Sequence, residues 1–308
     1  MILTTTETGL LGSNIRFDYS LNRENCDLHD YASVLKIMKE VGPSALIHFA
    51  GNLQPASQEG FSNHLGIINN NSRIDLNVLS AAVECKIQNV LCISSISAYG
   101  ESSKLPYREE EIFNGDSNSK HYGYSTSKRF TIELTKSVRL DTGWNFKTSL
   151  LGNVFGPFEK FNSEGTIVGK TINMIQNCIN NSEDLHLWGD GKEMRSFTYV
   201  KDLRQLMPMI LRDKDCPGEL NVGNGELISI YELVHLIAKV MDFSGRIIFK
   251  GSDASVRNSS KYADLSMFQA LYPKFQFTTL EEGLRETVQW YRVKANALEN
   301  QNKSVILN

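Results

Sequence analysis

Short, continuous apolar runs alternate with helix-like segments through the first half of this chain. The runs cover residues 45–50, 90–94 and 147–151. Helix-like patterns separate them, over residues 75–85 and around Tyr124. A strand that is covered by helices on both faces reads as a continuous apolar run, whereas a strand with one face in water alternates. The pattern therefore predicts a doubly wound α/β fold built on a parallel sheet.

The character of the chain changes near Gly156. Two turn signals mark the change, Phe155-Gly156-Pro157-Phe158 and Trp188-Gly189-Asp190-Gly191. We expect a first domain over residues 1–155, to which residues 199–222 return, and a smaller lobe over residues 156–308. Residues 299–308 are polar and weakly patterned, so we expect them to fray.

The composition is that of a soluble globular protein. The 308 residues are 41% hydrophobic and 22% charged, and the formal net charge of -3 gives no basic surplus for nucleic-acid binding. No apolar run approaches the roughly 18 residues of a membrane span, and no basic segment leads into an apolar run at the start. The five cysteines form no CxxC and the six histidines are dispersed. We therefore expect free thiols, no metal site, no membrane partner and a cytoplasmic location.

Tyr124 and Lys128 stand four residues apart in the stretch YSTSK. At this spacing two side chains lie on one face of a helix. A lysine cation beside a tyrosine stabilises the phenolate form, which suits the phenol to proton transfer. Ser95, in the serine-rich run of residues 94–97, would supply a hydroxyl to the same substrate oxygen. We therefore expect Ser95, Tyr124 and Lys128 to form an acid–base site.

A candidate phosphate-binding turn, TETGLLG, begins at Thr6. It keeps Gly9 and Gly12 of a GxxGxxG pattern, but Thr6 replaces the first glycine and Glu7 adds a negative charge. Only 14 residues separate Gly12 from Asp27, whereas a crossover helix and the following strand usually take about twenty or more. Either most of the first helix and second strand has been lost, or part of this segment is absent from the sequence.

With these motifs the chain resembles an extended short-chain dehydrogenase/reductase of the NAD-dependent epimerase/dehydratase family, and most of all the GDP-L-fucose synthase family. The likeness runs from residue 9 to about residue 290. It rests on Cys26-Asp27-Leu28-His29-Asp30, Ile47-His48-Phe49-Ala50, residues 153–162, residues 187–191 with Arg195-Ser196-Phe197, and Asn221-Val222-Gly223. The resemblance implies a Rossmann-type NAD(P)-binding domain over residues 1–155, a substrate-binding lobe over residues 156–308, and a nucleotide-sugar substrate.

The same resemblance implies a role for each matching residue. Tyr124 would give a proton to the C4 oxygen of the sugar, Lys128 would hold the nicotinamide ribose, and Ser95 would hydrogen-bond the same oxygen. The other implied cofactor-binding residues are Gly9, Leu10, Leu11, Gly12, Arg23, Asp27, Leu28, Ala50, Asn153 and Val154. Arg23 matches an arginine that pairs with the 2'-phosphate of NADPH, so NADP is favoured and NAD is the alternative. The implied substrate-binding residues are Ser95, Ser97, Asn153, Thr166, Trp188, Arg195 and Lys261.

Two positions depart from GDP-L-fucose synthases, which also epimerise C3 and C5 by means of a cysteine and a histidine. In this chain Ser97 takes the place of the cysteine, and the histidine position falls at or near Thr166. A serine hydroxyl is a far weaker acid than a thiol, and threonine cannot replace an imidazole. We therefore expect a C4 reductase that leaves C3 and C5 unchanged and acts on a GDP-linked 4-keto-6-deoxy hexose or heptose.

Several alternatives stay open. The chain could be a bifunctional epimerase and reductase, or an NDP-sugar 4-epimerase that retains tightly bound NAD. A 4,6-dehydratase needs a carboxylate beside its catalytic serine, and residues 95–99, SISAY, supply none. The chain could also be a non-catalytic protein of the same fold, because Thr6, Glu7 and the short crossover weaken the phosphate site. By resemblance the protein is expected to be a homodimer.

Overall fold

The computed structural model describes residues 1–6, 8–51, 63–251 and 260–306, with side chains described as far as Lys294. Within these residues six parallel strands form the central sheet in the order β2-β1-β3-β4-β5-β9. The strands are β1 (Ile2–Thr4), β2 (Tyr19–Ser20), β3 (Ala45–His48), β4 (Asn89–Ser95), β5 (Asn145–Leu151) and β9 (Glu219–Val222). The predicted doubly wound parallel sheet is confirmed.

Helices cover both faces of this sheet, which explains why its central strands are continuous apolar runs. The helices are α1 (Gly9–Asn14), α2 (Tyr31–Val41), α3 (His64–Glu84), α4 (Tyr122–Thr142) and α6 (Val200–Arg212). On β3, Leu46 packs in one apolar core with Val34 of α2 and Val78 of α3. The next residue, Ile47, packs in a second core with Leu203 of α6 on the other face. Because neighbouring side chains of a strand point to opposite faces, both had to be apolar.

The short first crossover forms a continuous connection. The helix α1 has six residues and β2 has two, and β2 still pairs with β1 in parallel, with Leu3 opposite Tyr19. Within the described residues, β1, α1 and β2 therefore form a shortened βαβ unit. The direction of strand order reverses between β1 and β3, and doubly wound sheets bind their ligands at this reversal, beyond the carboxyl ends of the strands.

The second half of the chain adds two small sheets beside the carboxyl edge of the main one. One has the order β10-β8-β6, from β6 (Asn153–Phe155), β8 (Met194–Tyr199) and β10 (Leu227–Ser229). The other pairs β7 (Leu185–Leu187) with β11 (Ile247–Phe249). The remaining helices are α5 (Ile167–Asn181), α7 (Ile230–Val240), α8 (Ser266–Leu271) and α9 (Leu280–Ile306).

The chain returns to the central sheet after β8, through α6 and β9. The predicted fraying from residue 299 was wrong, because α9 continues to Ile306 and no glycine or proline interrupts residues 295–306. Among the described residues, every helix is too short or too polar to cross a lipid bilayer.

Candidate active site

The strands β4 and β5 end beside the start of helix α4, which brings Ser95, Tyr124 and Lys128 together. Lys128 is only 7% exposed, and its Nζ donates to the carbonyl oxygen of Ile93 on β4 at 3.1 Å. The same Nζ lies 5.9 Å from the centre of the Tyr124 ring. Ser94 Oγ donates to the backbone carbonyl of Lys128 at 3.0 Å, which fixes the helix to the strand. Tyr124 and Lys128 therefore lie close together on α4, and Lys128 is in addition hydrogen-bonded to β4.

Ser95 is the last residue of β4, and the backbone turns directly after it. Its Oγ accepts the backbone N–H of Ser97 at 3.1 Å, and this caps the short 3-10 helix Ile96–Ala98. The hydroxyl hydrogen of Ser95 makes no hydrogen bond within the described part of the chain, so it is available to a substrate oxygen. Ser95 and Ser97 are both half-buried, at the edge where the strands end.

Asn71, on α3, is a site residue that the sequence reasoning missed. It is 2% exposed, and its Nδ2 donates to Ser127 Oγ at 3.1 Å. A Cβ placed on Gly51, directly after β3, would lie 3.7 Å from Asn71 Oδ1 and 3.6 Å from Lys128 Nζ. The amide oxygen and the ammonium therefore border the same point of the cleft. The run Asn69-Asn70-Asn71 was the available signal, but it does not tell which of the three faces the site.

The loop after β1 can accommodate a dinucleotide at the strand-order reversal. Gly9 has a φ of 72°, and no atom of a described residue outside its own turn lies within 4 Å of a Cβ built on it, so this side of the backbone is open to a ligand. Gly12 is buried in α1, while Leu10 and Leu11 are half-buried. Glu7 lies outside the described residues. Across the reversal, Ala50 is buried and its N–H donates to Thr5 Oγ1 at 3.1 Å.

The loop after β2 presents Arg23 to solvent, close to the position where doubly wound folds recognise the adenosine ribose. The strand ends at Ser20, with no carboxylate there to pair with a 2'-hydroxyl, and Arg23 is exposed on the turn that follows. Asn25 braces this turn by donating to the carbonyl of Ser20 at 2.9 Å. The turn therefore fits a 2'-phosphate better than a free 2'-hydroxyl.

Asp27 and Leu28 follow on the same loop. Asp27 is exposed, and the backbone N–H of His29, followed by the His29 ring, lowers the pKa of its carboxyl. Leu28 is half-buried, and its carbonyl accepts Asn77 Nδ2 of α3 at 3.0 Å. The loop is thus attached to α3, beside the residues predicted to contact adenine.

Asn153 and Val154, on β6, are half-buried directly beyond the end of β5. Asn153 Nδ2 donates to the carbonyl of Ser196 on β8 at 3.0 Å. On the same strand β8, the backbone of Arg195 forms an isolated β-bridge with the backbone of Lys261. The structure therefore brings these two predicted substrate-binding residues together. Arg195 also pairs with Glu193 at 3.0 Å.

Lys120, a further cation, and His121 lie near Lys261, and the sequence reasoning missed both. Burial, and next the charge of Arg195, lower the pKa of Lys261. Burial is also the largest cause that lowers the pKa of His121, followed by Lys261, Lys120 and His64. His121 stands three residues before Tyr124, at the start of α4. Cations gathered beside the candidate proton donor are suited to a substrate that carries phosphate.

Trp188 lies on a different element from Arg195 and Lys261. It follows β7 and is 88% exposed, the most exposed large apolar side chain in the described structure. An exposed indole carries apolar surface that a ligand or a neighbouring molecule can cover. The structure places Trp188 directly after β7 of the two-stranded sheet, whereas Ser95 ends β4 of the central sheet and Tyr124 and Lys128 lie on α4.

Comparison with known proteins identifies the family. The model of the NAD dependent epimerase/dehydratase family matches residues 6–223. The chain belongs to this family. GDP-L-fucose synthase of Dictyostelium discoideum is 27% identical over 94% of this chain and 94% of its own length. GDP-L-colitose synthase of Yersinia pseudotuberculosis is 25% identical over 96% of this chain and 99% of its own.

Solved structures agree with the family in fold. A GDP-L-fucose synthetase from Naegleria fowleri bound to NADP has a TM-score of 0.86 and 21% identity, over 96% of this chain and 93% of that one. MlghC, a GDP-mannoheptose C4 reductase from Campylobacter jejuni with NADP bound, has a TM-score of 0.82 and 21% identity, over 94% and 98%. The predicted family and fold are confirmed. The prediction of an NAD(P)-dependent enzyme that acts on nucleotide sugars is confirmed at the level of the family.

Thr166, which the resemblance places at or near the family's histidine position, is hydrogen-bonded to a buried carboxyl group. Its hydroxyl donates to Oε1 of Glu159, which is 6% exposed. Burial raises the pKa of Glu159 to about 8, although the backbone N–H groups of Gly169 and Gly156 lower it. Burial thus favours the neutral acid form of Glu159, and the hydrogen bond from Thr166 to Glu159 joins the two ends of the loop between β6 and α5. Sequence reasoning missed Glu159, because nothing in the local pattern marks it as buried.

Proposed function

We propose that this protein reduces the C4 ketone of a nucleotide-linked 4-keto-6-deoxy sugar, with GDP as the nucleotide, and leaves C3 and C5 unchanged. The observation that carries the proposal is the buried Lys128 beside Tyr124, with Ser95 at the same strand edge, whose hydroxyl hydrogen makes no hydrogen bond to any described residue. The named relatives support the substrate class, since they include GDP-L-fucose synthase, GDP-L-colitose synthase and a GDP-mannoheptose C4 reductase.

In this mechanism Tyr124 gives its phenolic proton to the C4 oxygen as negative charge develops there. Ser95 donates a hydrogen bond to the same oxygen, which adds electrostatic stabilisation. Lys128 stabilises the phenolate that Tyr124 becomes. An ammonium has three donor hydrogens, and the Ile93 carbonyl occupies only one of them. Solvent then returns a proton to Tyr124.

The residues support NADPH as the reductant. When bound, the cofactor supplies the hydride that adds to C4. Arg23, on the turn after β2, would pair with the 2'-phosphate, and no carboxylate ends that strand to favour NAD. Gly9, with its positive φ and open surroundings, would let the backbone approach the pyrophosphate. Asn153 and Val154 would line the nicotinamide, and Asp27 and Leu28 the adenine.

Arg195 and Lys261 would bind the diphosphate of the substrate, and Trp188 would cover part of its nucleotide. Of these, Arg195 and Lys261 are already adjacent. The absence of epimerisation rests on Ser97 and Thr166. A serine hydroxyl and a threonine hydroxyl cannot remove or supply a carbon-bound proton near neutral pH as a thiol and an imidazole do.

Incubation with a GDP-4-keto-6-deoxy sugar and NADPH in deuterated water, followed by NMR of the product, tests the proposal. We expect NADPH oxidation and a C4 alcohol with no deuterium at C3 or C5. Deuterium at either carbon, or no NADPH oxidation, would refute it. The variant Ser97→Cys/Thr166→His, which restores a thiol and an imidazole, is the matched comparison and is expected to gain exchange at C3 or C5.

The predicted homodimer stays a prediction. On the outer faces of α3 and α4, Leu76 is 44% exposed and Leu140 is 74% exposed. A second copy of the chain would cover this apolar surface. Light scattering of the purified protein at several concentrations measures the mass directly, and Leu140→Glu is expected to shift it toward the monomer if this face forms the contact.

A further inference from the structure

A chain of side-chain hydrogen bonds leaves the loop after β2 and leads toward the catalytic helix. Its outer part begins at Asp27, whose Oδ1 lies 3.2 Å from Nδ1 of His29. The other ring nitrogen of His29, Nε2, lies 2.9 Å from Oδ1 of Asn70 on α3. Asp27 and His29 are both exposed. They stand on the loop that we assign to the adenine end of the cofactor.

The inner part of the chain runs through the buried space between α3 and α4. Asn70 Nδ2 donates to Asn71 Oδ1 at 2.9 Å, and Asn71 Nδ2 donates to Ser127 Oγ at 3.1 Å. Ser127 Oγ donates to the backbone carbonyl of Tyr124 at 2.9 Å. Asn71 and Ser127 are both buried. The chain therefore ends at the backbone carbonyl of Tyr124, four residues before Lys128.

The two ends of the chain determine the direction of every bond in it. A backbone carbonyl only accepts, so the hydroxyl hydrogen of Ser127 points to Tyr124 and Ser127 Oγ is left to accept from Asn71. The oxygen of Asn71 then accepts from Asn70, and the oxygen of Asn70 accepts from His29 Nε2. At the far end, the Asp27 carboxylate oxygen is likewise an acceptor, and it lies 3.2 Å from His29 Nδ1.

This arrangement transmits position from the surface to the site. The side-chain oxygen of Asn71 and Lys128 Nζ border the same point next to Gly51. If Asn70 turns away, the buried side-chain oxygen of Asn71 loses the hydrogen bond from Asn70, which is costly. The rotamer of Asn71 therefore depends on Asn70, and that of Asn70 depends on His29.

We propose that His29 and Asn70 are positioning residues that couple cofactor binding at the adenine loop to the geometry of Tyr124 and Lys128. Asn71 and Ser127 carry this coupling through the interior. The inference rests on the proposed function, because it assigns the loop to adenine and the α4 pair to catalysis. Coupling of this kind is reciprocal for binding free energies, so a break near α4 also weakens binding at the loop.

A double-mutant cycle on the full chain tests the coupling. The variants are His29→Ala, Ser127→Ala, their combination, and His29→Gln, whose amide keeps a donor for Asn70. The control is His186→Ala, an exposed histidine on β7 in the other lobe. For each variant, kcat is measured at saturating NADPH, the Kd of NADPH is measured by fluorescence without sugar substrate, and the urea midpoint is measured to monitor the fold.

We expect His29→Ala and Ser127→Ala each to lower kcat about threefold to tenfold and to raise the Kd of NADPH. The double variant is expected to have the same kcat and Kd as Ser127→Ala alone. Its loss should therefore be smaller than the product of the two single losses by a factor of at least about two. His29→Gln should recover most of the loss, and His186→Ala should match the wild type. The urea midpoint of His29→Ala should stay unchanged.

Two results would overturn the inference: single effects that multiply in the double variant, or a His29→Ala variant with wild-type kcat and Kd. The Kd cycle separates this failure from failure of the proposed function. If the wild type binds NADPH but reduces no 4-keto sugar, the function is refuted and the Kd cycle still decides the coupling. If the wild type binds no NADPH, both are refuted.

Discussion

The buried carboxyl of Glu159 should make the stability of this protein fall as the pH rises toward 8. In the folded chain Glu159 is 6% exposed, Oε1 accepts the Thr166 hydroxyl, and Oε2 makes no hydrogen bond within the described residues. Burial raises the pKa of the carboxyl from an ordinary value of 4.5 to about 8. Between these two values the unfolded chain releases the proton while the folded chain keeps it. Stability therefore decreases with pH over this window, by at most about 1.4 kcal/mol for each pH unit.

The variant Glu159→Gln removes this dependence, because an amide does not ionise over this range but can still accept from Thr166. From pH 5.5 to pH 8 the free energy of unfolding of the wild type should fall by about 3 kcal/mol relative to the variant. Urea unfolding of both proteins at several pH values, followed by tryptophan fluorescence, measures the difference. The variant should therefore gain relative stability as the solution becomes more alkaline.

The matched control is Glu164→Gln in the same loop. Glu164 is exposed and pairs with Lys160 at 2.6 Å, which lowers the pKa of its carboxyl, so the group is fully ionised in both states across the window. Its removal should shift the unfolding free energy by a small amount that is constant with pH. If the wild type and Glu159→Gln gave parallel curves between pH 5.5 and pH 8, a buried neutral acid at Glu159 would be refuted.

Three further predictions follow from the site and its support. Arg23→Ala should raise the KM for NADPH about tenfold to a hundredfold without changing the KM for NADH, because charge-assisted hydrogen bonds to the 2'-phosphate are lost. Steady-state kinetics with both cofactors measures this, and an equal rise in both KM values would contradict it. Tyr124→Phe should lower kcat about a hundredfold to ten-thousandfold while the Kd of NADPH stays near the wild-type value; retained kcat would exclude Tyr124 as the proton donor. Gly123→Ala should destabilise the protein by about 1–3 kcal/mol in urea, because its Cβ would lie 2.6 Å from the His64 carbonyl oxygen, whereas Gly152→Ala, with 3.7 Å to its nearest neighbour, is the control and should change little.

The central sheet was predictable because its strands are buried on both faces. Leu46 and Ile47 are neighbours in sequence and lie in different cores, so β3 had to be apolar at both positions. The first crossover was harder to predict. Its six-residue α1 and two-residue β2 are too short to carry a hydrophobic period, and only pairing with β1 shows that they complete the fold.

The sequence by itself determined the family, and it predicted the acid–base pair and the two replaced epimerase positions, because these depend on residue identity at short spacings. Tyr124 and Lys128 are neighbours on any helix. Tertiary structure alone decided that Asn71 rather than Asn69 or Asn70 lies beside Lys128, since that depends on how α3 packs against α4.

Tertiary structure likewise decided that His121 lies near Lys261 and that Glu159 is buried, which raises the pKa of its carboxyl. His121 and Lys261 are far apart along the chain, and the burial of Glu159 depends on the loop that covers it. The pKa values of His121 and Glu159 depend on their burial and on their neighbours in space, which are properties of the packed molecule and not of the local sequence.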